Sequence, residues 1–550
     1  MADTSHLHIP GVNPNPKDPS PKDPPSPPPF VPKPKHHVAA YVVASCTVAL
    51  AMSLSQGFVT FNAQRVAGDI GASQTESLWL TAAYMAPRAS LSLLLVKIRT
   101  QVGLRNFAIA SVALFALVNF ATLWINSFHS AVAVEFLSGC AAAPLASVAV
   151  LYMLEVLPIQ KKMTVGLPIV MAFILVGTPL AGAISAPLYD QFGWITIRIL
   201  QFGLSLMAVA MISFIPLTPM PRVPVIAVTD VLTFTLLACG FAMISVLFTW
   251  GTTLWWTDTQ WLGFLAAGAV VCLSLFAAIE LQRERPLIDL RWLITPPILR
   301  LGAAMFLARL LLSEQTVGLR RLLQVLNYGP EQQQVLFAII AVATLAGGIF
   351  CAMTFKLERM PEMHAIALAL ITTGLWMDTQ VTPLYGPEQF YLSQAMIGFG
   401  STMFLATAMA NGVFSAFRRS PTYLLSFIAV FLASQSLGAV LGSGILLTTV
   451  QIRTTFHTQL INEELAASNP AVIEQIKTLQ AMFANGATDA GTVKAQALSS
   501  LSQTVSTQSQ ILAYADGFHA LSLLGVFTLT CLIIHYIWMK RQERLQSQTA

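Results

Sequence analysis

Five ionisable side chains fall inside long apolar runs: Arg88, Glu135, Arg198, Arg309 and Glu314. A charge at membrane depth is costly, so such a residue ordinarily faces a cavity or a partner. A buried carboxyl group can alternate between protonated and ionised forms, which makes Glu135 the candidate proton carrier. Glu135 and Arg88 are expected to communicate across a cavity. Arg309 is a second candidate for substrate contact, with Glu314 and Gln315 following it in the same run; pairing with Glu314 is its alternative. Arg198 reads as structural, and Gln394 and Gln435 are weaker polar candidates. Bases match or outnumber acids in this set. The cavity is therefore expected to be neutral to mildly positive, favouring amphipathic acids or neutral apolar compounds.

These residues must be positioned by membrane helices. The chain has 550 residues, 55% hydrophobic and only 10% charged. A soluble domain carries about 25% charged residues. This excludes a cytosolic enzyme, a nucleic-acid binder and a disordered chain. Fourteen apolar runs are long enough to span, the first at 38–61 and the last at 517–538. An even number places both termini on one side. That side carries twenty-one Lys and Arg residues against six on the other, so both termini are expected in the cytoplasm. The tail 1–37 holds 12 of the 31 prolines and reads as disordered, with docking of a proline-binding partner as the alternative. The connection 451–516 falls on the extracytoplasmic side and is 66 residues long. It reads as a helical projection presented to a partner, broken at Asn469-Pro470 and near Gly486. The six cysteines lie in apolar runs without metal-ligand spacing, and the nine histidines are dispersed. No metal site, cofactor or phosphate-binding Gly-rich loop is expected.

Several motifs occur in a fixed order. Val66-Ala67-Gly68-Asp69 follows the first run. Gly177-Thr178-Pro179-Leu180-Ala181-Gly182 lies in the fifth and is followed by Phe192-Gly193-Trp194. Pro286-Leu287-Ile288-Asp289 follows the eighth, and Leu322-Leu323-Gln324 the ninth. This order resembles the fourteen-helix drug:proton antiporter branch of the major facilitator superfamily, of the EmrB/QacA type, and is similar to inner-membrane pumps of tripartite efflux systems. The resemblance covers about residues 38–540 and implies an all-α polytopic membrane fold. It implies a six-helix bundle over 38–216, two inserted helices within 217–297, a second six-helix bundle over 298–538 and a cytoplasmic tail at 539–550. It also implies a cavity that alternates between the two sides. Gly177, Pro179 and Gly182 correspond to the antiporter motif and read as a hinge. Gly103 and Arg105 match the cytoplasmic loop motif.

The sequence departs from that branch at three places. The membrane aspartate expected in the first helix is Ser55, followed by Gln56; both are cavity candidates. The arginine expected in the fourth helix is Glu135, while the second helix gains Arg88. The acidic position of the loop motif is Thr100, which weakens the usual charge latch and leaves Lys97 and Arg99 to contact lipid headgroups. The resulting expectation is a secondary active transporter of the bacterial inner membrane. It would export amphipathic or hydrophobic small molecules such as drugs, toxins or siderophore-like metabolites, with protons as coupling ion. A periplasmic membrane-fusion adaptor and an outer-membrane channel are its expected partners. An importer and a non-transporting scaffold or sensor are the alternatives, and an enzyme is not expected.

Overall fold

The computed structural model describes residues 34–549, apart from 220–221, 223, 285, 420, 466–469 and 485–489. The tail 1–33 and the expected breaks at Asn469 and Gly486 lie outside the described residues. Helix is the only regular structure among those described. This follows from the solvent: in hydrocarbon every backbone N–H and C=O must be satisfied internally, and a helix does so within one segment.

The first bundle comprises α1 (Lys35–Asp69), α2 (Ser77–Val102), α3 (Leu104–Ala121), α4 (Phe128–Val156), α5 (Leu167–Phe192) and α6 (Trp194–Phe214). Two inserted helices follow, α7 (Val228–Leu254) and α8 (Gln260–Gln282). The second bundle comprises α9 (Pro296–Val325), α10 (Gln334–Thr354), α11 (Met360–Asp378), α12 (Tyr391–Arg419), α13 (Pro421–Glu464) and α14 (Ala490–Thr549). Among the described residues, thirteen of these helices are long and apolar enough to cross a membrane. The remaining one, α11, is diluted by Glu362 and His364 at one end and Asp378 at the other.

Local sequence sets the turns. Gly103 adopts φ +89° between α2 and α3, and Gly193 adopts φ +69° between α5 and α6, a region open to glycine without strain. The Ser127 hydroxyl accepts the Ser130 N–H to open α4, and the Asp230 carboxylate accepts the Ala227 N–H to open α7.

Close backbone approach holds the bundles together, as expected where lipid removes most of the hydrophobic gain. A Cβ at Gly177 would come within 2.4 Å of the Ser53 backbone, which seats α5 on α1. Gly139 lets α4 meet α2 at Tyr84 and Pro87. The bundles join along two seams, α5 with α10 and α2 with α13. On the first seam Gly348 faces Ala172 and Gly182 faces Phe337. The inserted pair lies outside this core, with α7 against α2 and α13.

The long connection takes an unexpected form. Most of it continues the spans: α13 runs on to Glu464, and α14 is a single 60-residue helix starting at Ala490. Between them lies the short helix Pro470–Ala484, which packs on α14.

Candidate functional site

A cavity lies between the bundles, with about 280 Å³ of room for water-molecule centres. From the first bundle come Gln56, Thr60 and Phe61 of α1 and Arg88 of α2. The inserted α7 adds Phe248, and α10 adds Phe337. Pro179 lines the wall as well, while its motif partner Gly182 sits where Phe61 and Phe337 meet.

Four guanidinium groups face this space: Arg88, Arg309, Arg320 and Arg321. None of the lining residues is acidic. Arg88 donates to the Gln56 side-chain oxygen, and Arg309 donates to that of Gln435 on α13. Each bundle thus presents one arginine steadied by a neutral glutamine, and the two arginines are near enough to repel one another. Arg320 donates to the Thr60 carbonyl of the opposite bundle and lies 5.3 Å from the Phe61 ring. The lining therefore combines uncompensated positive charge with aromatic surface.

The placement corrects several expectations. Glu135 does not share the cavity with Arg88. It is 6% exposed on α4, and its charged neighbour is Arg198 of α6, whose guanidinium lies 3.8 Å from the Trp194 ring. The reason is helical phase: Arg88 turns toward α1, and Tyr84, one turn earlier, lies between it and Glu135. Ser55 is buried behind the wall, where Gln201 Nε2 donates to its hydroxyl at 2.6 Å. Arg309 does not pair with Glu314, which instead meets Gln394 on α12 and Asp378 on α11. Gln315 does reach the cavity.

The loop latch is also present in another form. Lys97 donates to Asp230 at 2.7 Å rather than reaching lipid, and Arg99 is 6% exposed. Arg283 closes the cluster by donating to Asp230 at 2.6 Å and Glu280 at 2.8 Å. Burial acts to lower the Arg283 pKa, and these bonds more than offset it, holding the guanidinium above its ordinary value. Gly103 supplies the turn beside this cluster, and Arg105 is exposed.

Three residues central to this geometry, Arg320, Arg321 and Asp378, were not among the candidates. The ninth apolar run ends near 318, yet α9 passes through a π turn at Glu314–Gly318 and continues to Val325. That continuation carries both arginines over the cavity.

Comparison with known proteins adds one firm result. No family model matches the chain, and no curated relative is matched. Among solved structures, the human organic anion transporter MFSD10 (TETRAN) aligns over 90% of this chain and 100% of its own, with a TM-score of 0.50 and 12% identity. The chain has the major facilitator fold. At that identity the likeness speaks for the fold alone. Within it, the two seams α5–α10 and α2–α13 are the most extensive contacts between halves, and the arginine-lined cavity lies between them.

Proposed function

We propose that the chain is a secondary active transporter of amphipathic organic anions, working by alternating access of its central cavity. One observation carries this reading: four arginines and no carboxylate line the cavity. Positive charge at membrane depth calls for a counter-charge, and glutamines do not supply one. An acid with an apolar body meets both demands, its anionic group between Arg88 and Arg309 and its body against Phe61, Phe337 and Phe431. Guanidinium suits this task because its fork binds carboxylate or sulfonate through paired hydrogen bonds. The one structural neighbour described above is itself named an organic anion transporter, which agrees with this reading.

The excess of Lys and Arg on one face orients both termini to the cytoplasm of an inner membrane. Export powered by the proton gradient fits the antiporter resemblance; Glu135, the proton carrier expected from the sequence, is buried beside Arg198 and away from the cavity. The paired helices beyond the far face, α13 to Glu464 and α14 from Ala490, offer a periplasmic adaptor a surface to dock on.

The test is transport in proteoliposomes with fluorescein as an anionic probe and rhodamine 6G as a cationic one. Fluorescein should exchange across the membrane, and Arg88→Ala and Arg309→Ala should each abolish this. Transport of the cation, with the anion excluded, would overturn the anionic reading.

A further inference from the structure

Beside the cavity, in the second bundle, two carboxyl groups are buried together. Glu314 on α9 is 0% exposed and Asp378 at the end of α11 is 2% exposed. Among the described residues neither has an ion-pair partner. A single amide joins them: Gln394 Nε2 donates to Glu314 Oε1 at 2.8 Å and to Asp378 Oδ2 at 2.7 Å. Both amide hydrogens are then used. The second Glu314 oxygen, Oε2, is fully buried and meets no N–H or O–H. Two carboxyl groups bridged by one amide and buried from water are held together at least cost when one of them carries a hydrogen.

We propose that Glu314 and Asp378 form a proton-binding site of the transport cycle, linked to the cavity through Gln394 and Gln315. This rests on the transporter reading above and adds the coupling ion's site to it. The surroundings favour a proton over a metal cation, because the Gln394 N–H groups aim into the space between the carboxylates and would repel a metal. The groups around the pair are few. From α12 come Gln394 and Ser393, the latter fully buried. From α13 and α14, the side chains against the π turn at Gly318 are Leu446 and Phe518. Asp516 of α14 is engaged by Arg453 and His457, at 2.6 Å and 2.7 Å. On α14 the His519 ring lies 5.7 Å from that of Trp376, two residues before Asp378; among the described residues no base is hydrogen-bonded to either carboxyl group. Binding adds one proton to the pair and removes one negative charge; release leaves that charge on the two carboxyl groups.

The link to substrate is a short chain of hydrogen bonds. Gln315 lines the cavity, and its Nε2 donates at 3.0 Å to both the side-chain oxygen and the carbonyl of Gln394. Glu314 and Gln315 open the π turn of α9, a local irregularity often found at functional sites. Gain or loss of the proton changes what the Gln394 amide can donate to, and so its contact with Gln315. The charge of the pair and the position of Gln315 therefore change together.

Two measurements test this. The first needs no substrate: difference infrared spectra of the purified protein between mildly acidic and alkaline pH. A carbonyl band from a protonated carboxyl group should titrate in the wild type and in Glu135→Gln, and vanish in both Glu314→Gln and Asp378→Asn. Its persistence in either folded variant of the pair would overturn the proposal; two variants are used so that misfolding of one leaves the other. The second compares fluorescein exchange at equal pH with accumulation driven by a pH gradient. Glu314→Gln should keep exchange near wild type and lose gradient-driven accumulation by at least about tenfold. Undiminished accumulation in Glu314→Gln would refute the proton site. Absence of fluorescein exchange in the wild type would instead refute the anion reading, while the infrared result still decides the carboxyl pair.

Discussion

The two bundles bury carboxylates in opposite company. In the first, Glu135 on α4 lies within the field of the Arg198 guanidinium on α6 without a direct hydrogen bond to it, and the positive charge rests on the Trp194 ring. In the second, Glu314 on α9 faces another acid, Asp378, with Gln394 between them. Both arrangements offset the cost of a charge away from water, by different means. An opposite charge is permanent, since an arginine does not give up its proton in a protein. A shared proton is removable. The first arrangement suits a fixed strut between helices and the second suits a group that changes state in each cycle.

The largest expected effect breaks the strut. Glu135→Leu leaves Arg198 buried without its nearest counter-charge, at a cost that approaches but does not exceed the ~3 kcal/mol of a directly bonded buried pair. The double variant Glu135→Leu/Arg198→Leu should recover most of that loss. Asp378→Leu in the second bundle removes a like charge from Glu314 and should cost clearly less than Glu135→Leu. Thermal unfolding in detergent measures all three. If the double variant is as unstable as the sum of its singles, Glu135 and Arg198 are not a pair and the contrast between bundles fails.

A third solution appears where the inserted helices meet the first bundle. Asp230 is fully buried and bonded directly to two bases, Lys97 from α2 and Arg283 beyond α8. Asp230→Asn keeps the shape but leaves two cations facing a neutral amide, at about 2 kcal/mol for bonds to charged groups. Because α7 also lines the cavity through Phe248, this change should raise the labelling of a cysteine placed at Lys97's neighbour Ile98. Unchanged stability and labelling would show that the inserted pair is held by apolar contact alone.

The sequence carried these features unequally. Fourteen apolar runs read directly as helices because hydrocarbon admits so few other structures. The special residues were legible too: Arg88, Glu135, Arg309 and Glu314 stand out by being charged in the wrong solvent. Their partners were not legible, because pairing depends on helical phase and on which helices touch. Arg88 turns to Gln56 and not to Glu135, and Glu314 turns to Gln394 and not to Arg309. Arg320 and Arg321 were hidden by the π turn, which lets α9 outlast its apolar run. Asp378 lies in the last turn of α11, and nothing in the sequence marks the carboxyl group it will share Gln394 with. The latch was misread for a simpler reason: its acid, Asp230, lies on a helix 133 positions away from Lys97.

Two of the four cavity arginines, Arg88 and Arg309, sharpen the comparison from the side of function. Each belongs to a different bundle and each is steadied by a glutamine. Arg88→Lys and Arg309→Lys keep the charge and lose the fork, so each should weaken competition by an organic anion about tenfold, equivalent to about 1.4 kcal/mol. Arg198→Lys, outside the cavity, should leave that competition unchanged. An equal loss in all three would mean that field, not contact, governs the anion, and that the bundles need not be distinguished at this site.

The smallest effect concerns the bond that joins the bundles beyond the cavity. Arg65 at the far end of α1 donates to Glu331, just before α10, and both side chains are partly exposed. The Glu331 carboxyl is held below its ordinary value of 4.5, first by a hydrogen bond from its own backbone, with burial opposing and Arg65 assisting. A depressed carboxylate contributes stability above its ordinary value and loses it as pH falls through the folded one. Exposed pairs are worth at most about 1 kcal/mol and are screened by salt. Glu331→Gln should therefore lower the melting temperature slightly at neutral pH and low salt, and make no difference at strongly acidic pH or in concentrated salt. A large effect that persists in salt would instead mark this contact as a principal brace between the bundles, placing a fixed strut across the seam that alternating access must open.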